Sequence, residues 1–178
     1  TTGGKNTANG ENALATNTIG SRNTANGSDA LGSNTRGFSN TANGASALFS
    51  NTTGNNNTAN GAGALGRNTT GGNNTATGIS ALFRNFSGNN NTGLGYEALF
   101  NNFSGNNNTG LGYDAQVPSA IGSNQVRIGN NLITYAGIQV AWTVTSDARW
   151  KEKIQDLPYG LNMISLLRPV DYVRKNNE

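Results

Sequence analysis

The chain has 178 residues, of which 34% are hydrophobic and 12% charged, with 25 glycines, a net charge of +3 and neither cysteine nor histidine. Disulfides, thiolate chemistry, Cys-based zinc sites and imidazole acid–base chemistry are therefore excluded. No apolar run approaches the ~20 residues of a membrane helix. The basic residues gather only in "ARWKEK" and "VRKNNE" near the end; with no Lys/Arg stripe carrying interleaved aromatics, nucleic-acid binding is not expected.

The first residues, "TTGGK", match the tail of a repeat seen later as "NTTGGN". The chain thus reads as starting in mid-repeat, and further repeats are expected upstream. From Asn6 the phrase "NTANGENAL" returns as "NTANGSDAL", "NTANGASAL", "NTANGAGAL", "NTATGISAL", "NTGLGYEAL" and "NTGLGYDAQ", always 17 residues apart. A composition this poor in apolar residues would by itself point to disorder. A fixed period points instead to stacked units.

We number positions from Asn6, 23, 40, 57, 74, 91 and 108. Six complete units keep Asn-Thr at positions one and two, Gly at five, Ala-Leu at eight and nine, Asn at twelve and Gly at fifteen. One unit cannot build a core, but stacking sets each Leu on the Leu of its neighbour. The period is too short for a helix pair, and Gly and Asn form helices poorly. Both take left-handed turn conformations easily, so positions five and fifteen are predicted turns. The expected fold is all-β: a β-solenoid of 17-residue coils over residues 1–118.

A single Leu column makes a thin core. Three chains around an axis would bury the columns together, so a homotrimeric β-fibre is expected. The Asn columns are expected to form amide ladders. Towards the end the units turn apolar. Position thirteen becomes Phe86 and Phe103, position four Leu94 and Leu111, and position six Ile79, Tyr96 and Tyr113. Thicker packing towards the next domain is expected there. Gln116-Val117-Pro118 is predicted to end the array, because Pro cannot donate to a ladder.

Three functional readings attach to the repeats. Ranks of Thr on a flat solenoid face can order water, which makes ice binding one alternative. The columns are single Thr beside Asn, however, and strand preference explains them as well. Tyr96, Tyr113, Phe86 and Phe103 form a candidate patch for a glycan or cell-surface receptor. The repeats hold only Glu11, Asp29, Glu97 and Asp114, so no paired-carboxylate hydrolase site is expected, and no metal or cofactor.

Residues 119–145 form a connector. "QVRIGNNLITYAGIQVAWTVTS" alternates and is rich in β-formers, which predicts two or three short strands with turns at "GNN" and "AG". Over 146–178 a small α+β piece is expected. Pro158 suits a first helical turn, Leu161, Ile164 and Leu167 share a face, Pro169 ends the helix and "VDYVRK" returns as a strand.

"TSDARWKEKIQDLPYGLNMISLLRPVDYVRK" resembles the start of the endosialidase-type intramolecular chaperone domain, which ends many phage tail fibres and bacterial fibre-like surface proteins. The residues that carry the likeness are Ser146-Asp147, Arg149, Lys151, Ile154, Gly160-Leu161 and Leu167-Arg168-Pro169-Val170. The repeats are loosely similar to trimeric autotransporter adhesin heads and tail-fibre shafts.

The resemblance implies a homotrimer on a virion tail or bacterial cell surface. It also implies a chaperone that removes itself by cutting between Thr145 and Ser146, with Ser146 as nucleophile, Lys151 as its base, and Asp147 and Arg149 shaping the site. A Ser hydroxyl needs a neighbouring base, and Lys serves only if burial lowers its pKa. The chain has fewer residues after Ser146 than that domain, so at most a single-turnover event in a longer parent is expected. Release of an upstream domain by autoproteolysis is the alternative main role.

Overall fold

The structure, a computed structural model, describes residues 3–136. Among them the fold is all-β. Eight strands of three residues are β1 (Thr7–Asn9), β2 (Thr24–Asn26), β3 (Thr41–Asn43), β4 (Thr58–Asn60), β5 (Thr75–Thr77), β6 (Thr92–Leu94), β7 (Thr109–Leu111) and β8 (Val126–Ile128). They make one parallel sheet in chain order. Every strand pairs with the next at the 17-residue offset, as in Thr24↔Thr41, Ala25↔Ala42 and Asn26↔Asn43. The predicted β-solenoid is the observed fold.

Thr-Ala-Asn makes a strand because its central residue points inward and its flanks point out. Ala25, Ala42, Ala59 and Ala76 are buried. Ala and Leu at positions eight and nine complete the apolar half of the interior, with Leu31, Leu48, Leu65, Leu82 and Leu99 at 0% exposure.

The Leu columns are therefore enclosed by their own chain. The expectation that three chains must meet to bury them loses its premise, because the far wall of each coil supplies the cover. That wall is polar. Asn at positions one and twelve is also fully buried in the middle coils.

Most of each coil lies outside the strand, yet its backbone still bonds along the axis. Asp29 N–H donates to the Glu11 carbonyl of the coil before (2.8 Å), while Leu31 N–H donates to the Ala47 carbonyl of the coil after (3.0 Å). Reversing the donor direction within two residues requires left-handed backbone. Position seven has it (Asp29 φ 59°, Ser46 φ 57°), and so does position nine (Leu31 φ 51°, Leu65 φ 52°).

Position five is glycine because its φ lies near +135°, as at Gly44 (137°) and Gly61 (140°). Position fifteen was also predicted to be left-handed, but Gly54, Gly71 and Gly88 do not have positive φ. Glycine is needed there for space. A Cβ on Gly71 would run into the Gly88 carbonyl oxygen and the Asn68 side chain.

The ladder does not stop at Pro118. β8 pairs with β7 in the same register (Thr109↔Val126, Leu111↔Ile128). The stretch "QVRIGN" therefore supplies an eighth strand and the start of a further coil, with Gln125 in the place of Asn and Gly129 in the place of the position-five Gly. Pro118 removes the axial bond that position eleven donates in earlier coils, as Ser33 N–H does to the Phe49 carbonyl (2.9 Å) and Arg84 N–H to the Phe100 carbonyl (3.0 Å), but the strand ladder continues past it. The next predicted strand, between the "GNN" and "AG" turns, does not form: Leu132, Ile133, Thr134 and Tyr135 lie after β8 and join no ladder. The predicted strand after the "AG" turn and the helix after Pro158 lie outside the described residues.

In coils six and seven the inward strand residue is glycine. A Cβ on Gly110 would lie 2.6 Å from Leu99 Cγ and 2.8 Å from the Ala115 carbonyl oxygen. The strand sits closer to the core here than where Ala25 or Ala42 stands. Gly110→Ala is expected to cost about 1–3 kcal/mol through overpacking, read as a fall in the urea midpoint. An unchanged midpoint would mean that the strand can retreat freely.

Candidate functional site

The predicted cleavage-site residues Thr145, Ser146, Asp147, Arg149 and Lys151 all lie outside the described residues. What the structure places is the solenoid surface and its buried polar wall.

That wall is a hydrogen-bonded spine. At position twelve, Asn51 Nδ2 donates to Asn34 Oδ1 (2.8 Å), and Asn68 Nδ2 donates to Asn51 Oδ1 (2.8 Å). At position one, the Asn57 N–H donates to Asn40 Oδ1 (3.0 Å). Both columns also converge on the position-fifteen carbonyl. The Gly71 oxygen accepts from Asn57 Nδ2 (2.8 Å) and from Asn68 Nδ2 (2.9 Å). Two amides thus clamp one peptide in each of the first six coils and close the loop. The ladders expected from the Asn columns are present, and buried polar groups are satisfied as they must be.

The outer face of the sheet carries positions two, four and six. In the upper coils it is wet. Asn26 Nδ2 donates to Asn43 Oδ1 and Asn43 Nδ2 to Asn60 Oδ1, each at 2.8 Å. The Thr hydroxyls of position two rank beside this ladder.

In the lower coils positions four and six turn apolar and exposed, while position two keeps Thr75, Thr92 and Thr109. Leu94, Leu111 and Ile128 stand at position four, Ile79, Tyr96 and Tyr113 at position six, and Val126 at position two. Within the solenoid they are not part of the buried core; the packing towards the next domain that they predict falls mostly outside the described residues. The alternation of the strand is the signal that places them outside. In "TGL" the Leu flanks an inward residue and must point out.

Aromatic pairs form within columns. Tyr96 and Tyr113 stack with centroids 5.4 Å apart and planes 10° apart. Phe86 and Phe103 pair at 5.9 Å, and Phe83 and Phe100 at 5.3 Å. Arg67 lies over Phe83 (5.4 Å) and Arg84 over Phe100 (5.2 Å), as cations favour ring faces. The four aromatics considered as one glycan patch thus form a stacked pair, Tyr96 with Tyr113, and a tilted pair, Phe86 with Phe103, whose planes lie 39° apart. The Tyr96 phenol hydrogen-bonds Glu97, and that bond, with the carboxylate charge, holds its pKa above the ordinary value.

A cleft of about 540 Å³ opens beside coils seven and eight, lined by Tyr113, Asp114, Gln116, Arg127, Asn131 and Leu132 among others. Its polar groups satisfy one another. Arg127 donates through Nε to the Gly129 carbonyl (2.7 Å) and through Nη2 to Asn131 Oδ1 (2.6 Å). Gln116 Nε2 donates to Asp114 Oδ1 (3.0 Å). Nothing in the cleft is arranged as a nucleophile with its base. Among the described residues no group of acidic side chains is gathered to hold a metal ion, and no helix is long and apolar enough to cross a membrane.

No protein-family model, curated protein or solved structure matches the chain.

Proposed function

We propose that this chain is a structural and adhesive segment of a homotrimeric fibre, from a phage tail or a bacterial surface, followed by the opening of a self-cleaving trimerisation chaperone. The observation that carries the reading is the uninterrupted ladder of eight in-register strands. The middle coils are bonded to one another by backbone and by buried amides. Such a stack is a spacer, built for length rather than for a concave site. The tail signature supports the second half of the reading.

In the proposed cleavage, Ser146 Oγ attacks the Thr145 carbonyl carbon while Lys151 takes the hydroxyl proton. The Thr145–Ser146 C–N bond breaks, the Ser146 nitrogen receives the proton, and an ester joins Thr145 to Oγ. Water then hydrolyses the ester, leaving a Thr145 carboxylate and a free Ser146 amine. Nucleophile and carbonyl belong to adjacent residues, so proximity supplies much of the rate.

Intact-mass measurement of the longer parent protein tests this. A product ending at Thr145 is expected from the wild type and none from Ser146→Ala. Lys151→Ala is expected to slow the cut by about 100-fold or more. An uncut wild type would reject cleavage while leaving the fibre reading to the mass of the assembled protein.

A further inference from the structure

The outer face of the sheet changes character halfway down the stack. In coils one to four its fourth position is Asn9, Asn26, Asn43 and Asn60, and its sixth is Glu11, Ser28, Ala45 and Ala62. Below them stand Ile79, Leu94, Tyr96, Leu111, Tyr113, Val126 and Ile128, with exposures from 43% to 66%.

None of these side chains belongs to the buried core. Where the strand gains Leu94 and Leu111 on its outside, it loses the inward methyl of Ala to Gly93 and Gly110. Apolar mass has moved from the protomer's own core to its surface. Seven such residues on one face expose several hundred Å², the scale of the largest apolar patches on monomers, ~300–600 Å², which are often functional.

The pattern also restricts the partner. The apolar rows repeat along the axis at the strand spacing, ~4.8 Å. A surface that meshes row for row must share that rise and run parallel to the stack. The chain itself has both properties, and straight rows on identical copies come level when the copies stand side by side around a common axis.

We propose that the face of coils five to eight is the surface through which copies of this chain pack together. The face of coils one to four, with its Asn26–Asn43–Asn60 ladder, stays in water. The inference rests on the homotrimer reading and gives it a location.

Light scattering on the full chain tests it with Leu94→Asn/Leu111→Asn. Both substitutions install the residue that β2, β3 and β4 already carry at that position, so the coil retains a sequence that folds. The wild type is expected at three times the 18.4 kDa of one chain. The double variant is expected to dissociate at concentrations at least tenfold higher than the wild type does, and Asn43→Ser to behave as wild type.

Disulfide trapping is the second measurement, because the chain has no cysteine of its own. Oxidised Leu111→Cys is expected to give covalent pairs, and Thr53→Cys to give none. If the wild type assembles and neither the double variant nor the cysteine pattern differs from its control, this interface is overturned and the homotrimer stands. If the wild type is a single chain at all concentrations, both fail, and the apolar face belongs to a different partner.

Discussion

Asn68→Asp is expected to destabilise the solenoid by about 3–5 kcal/mol at neutral pH, the range for an uncompensated buried charge. The change is nearly isosteric, so its effect isolates one amide. Asn68 is completely buried. Its Nδ2 donates both to Asn51 Oδ1 (2.8 Å) and to the Gly71 carbonyl (2.9 Å), while its Oδ1 accepts from Asn85 Nδ2 (2.9 Å). A carboxylate keeps the last bond but turns the first two into oxygen facing oxygen.

Burial raises the pKa of that new carboxyl above its unfolded value of about 3.9. A group that binds its proton more tightly when folded leaves stability intact below the unfolded pKa. Stability is lost as pH rises from there and levels off above the folded pKa. The deficit relative to wild type should therefore shrink towards pH 3, where an O–H can again donate to Asn51.

Urea unfolding followed by circular dichroism gives the size of the loss. Amide exchange gives its place, since a stack of coils need not unfold in one step. Protection is expected to fall first in the coils on either side of Asn68. Asn56→Asp at an exposed position serves as control, with a change within about 0.5 kcal/mol. An Asn68→Asp variant as stable as this control would show that water reaches the spine and that the interior is not closed.

The period and the class of fold were legible in the sequence because a parallel stack copies its register from coil to coil. An invariant column can then only be a column in space. The Asn ladders were legible for the same reason. Their burial was not, since Asn is mostly a surface residue and only the clamp on the position-fifteen carbonyl makes it an inside one. Leu94 and Leu111 were read as packing, because apolar residues at a domain's end ordinarily are. The two-residue alternation of β6 and β7 places them outside the solenoid core, and it is visible only once the strand is placed. Pro118 misled for a similar reason. It does cost the bond that position eleven donates to the next coil, but the loss is local and the strand ladder goes on to β8. Ser146 and Lys151 rest on a resemblance of residues alone and lie beyond the part of the chain that the structure describes.

Leucine at φ 51–54° in every coil from Leu14 to Leu99 makes a second, sharper prediction. Such a conformation costs an L-residue about 1–2 kcal/mol relative to right-handed backbone. Glycine bears no such cost. Leu65→Ala is expected to destabilise by about 2–5 kcal/mol, because a fully buried side chain is removed from between Leu48 and Leu82 and leaves a cavity.

In an ordinary core, glycine would be worse still, by about 0.5–1 kcal/mol of backbone entropy relative to alanine and about 0.8 kcal/mol for the missing methyl. Here relief of the left-handed strain offsets both. Leu65→Gly should therefore lie within about 0.5 kcal/mol of Leu65→Ala, or above it. Ala64→Gly at the neighbouring position, which lacks positive φ, should show the usual penalty. Urea midpoints of the three variants decide the matter. A Leu65→Gly protein less stable than Leu65→Ala by about 1.5 kcal/mol, the full ordinary penalty, would mean that Leu65 is not left-handed. The reversal of donor direction on which the stacking of each coil depends would then have to arise at another residue.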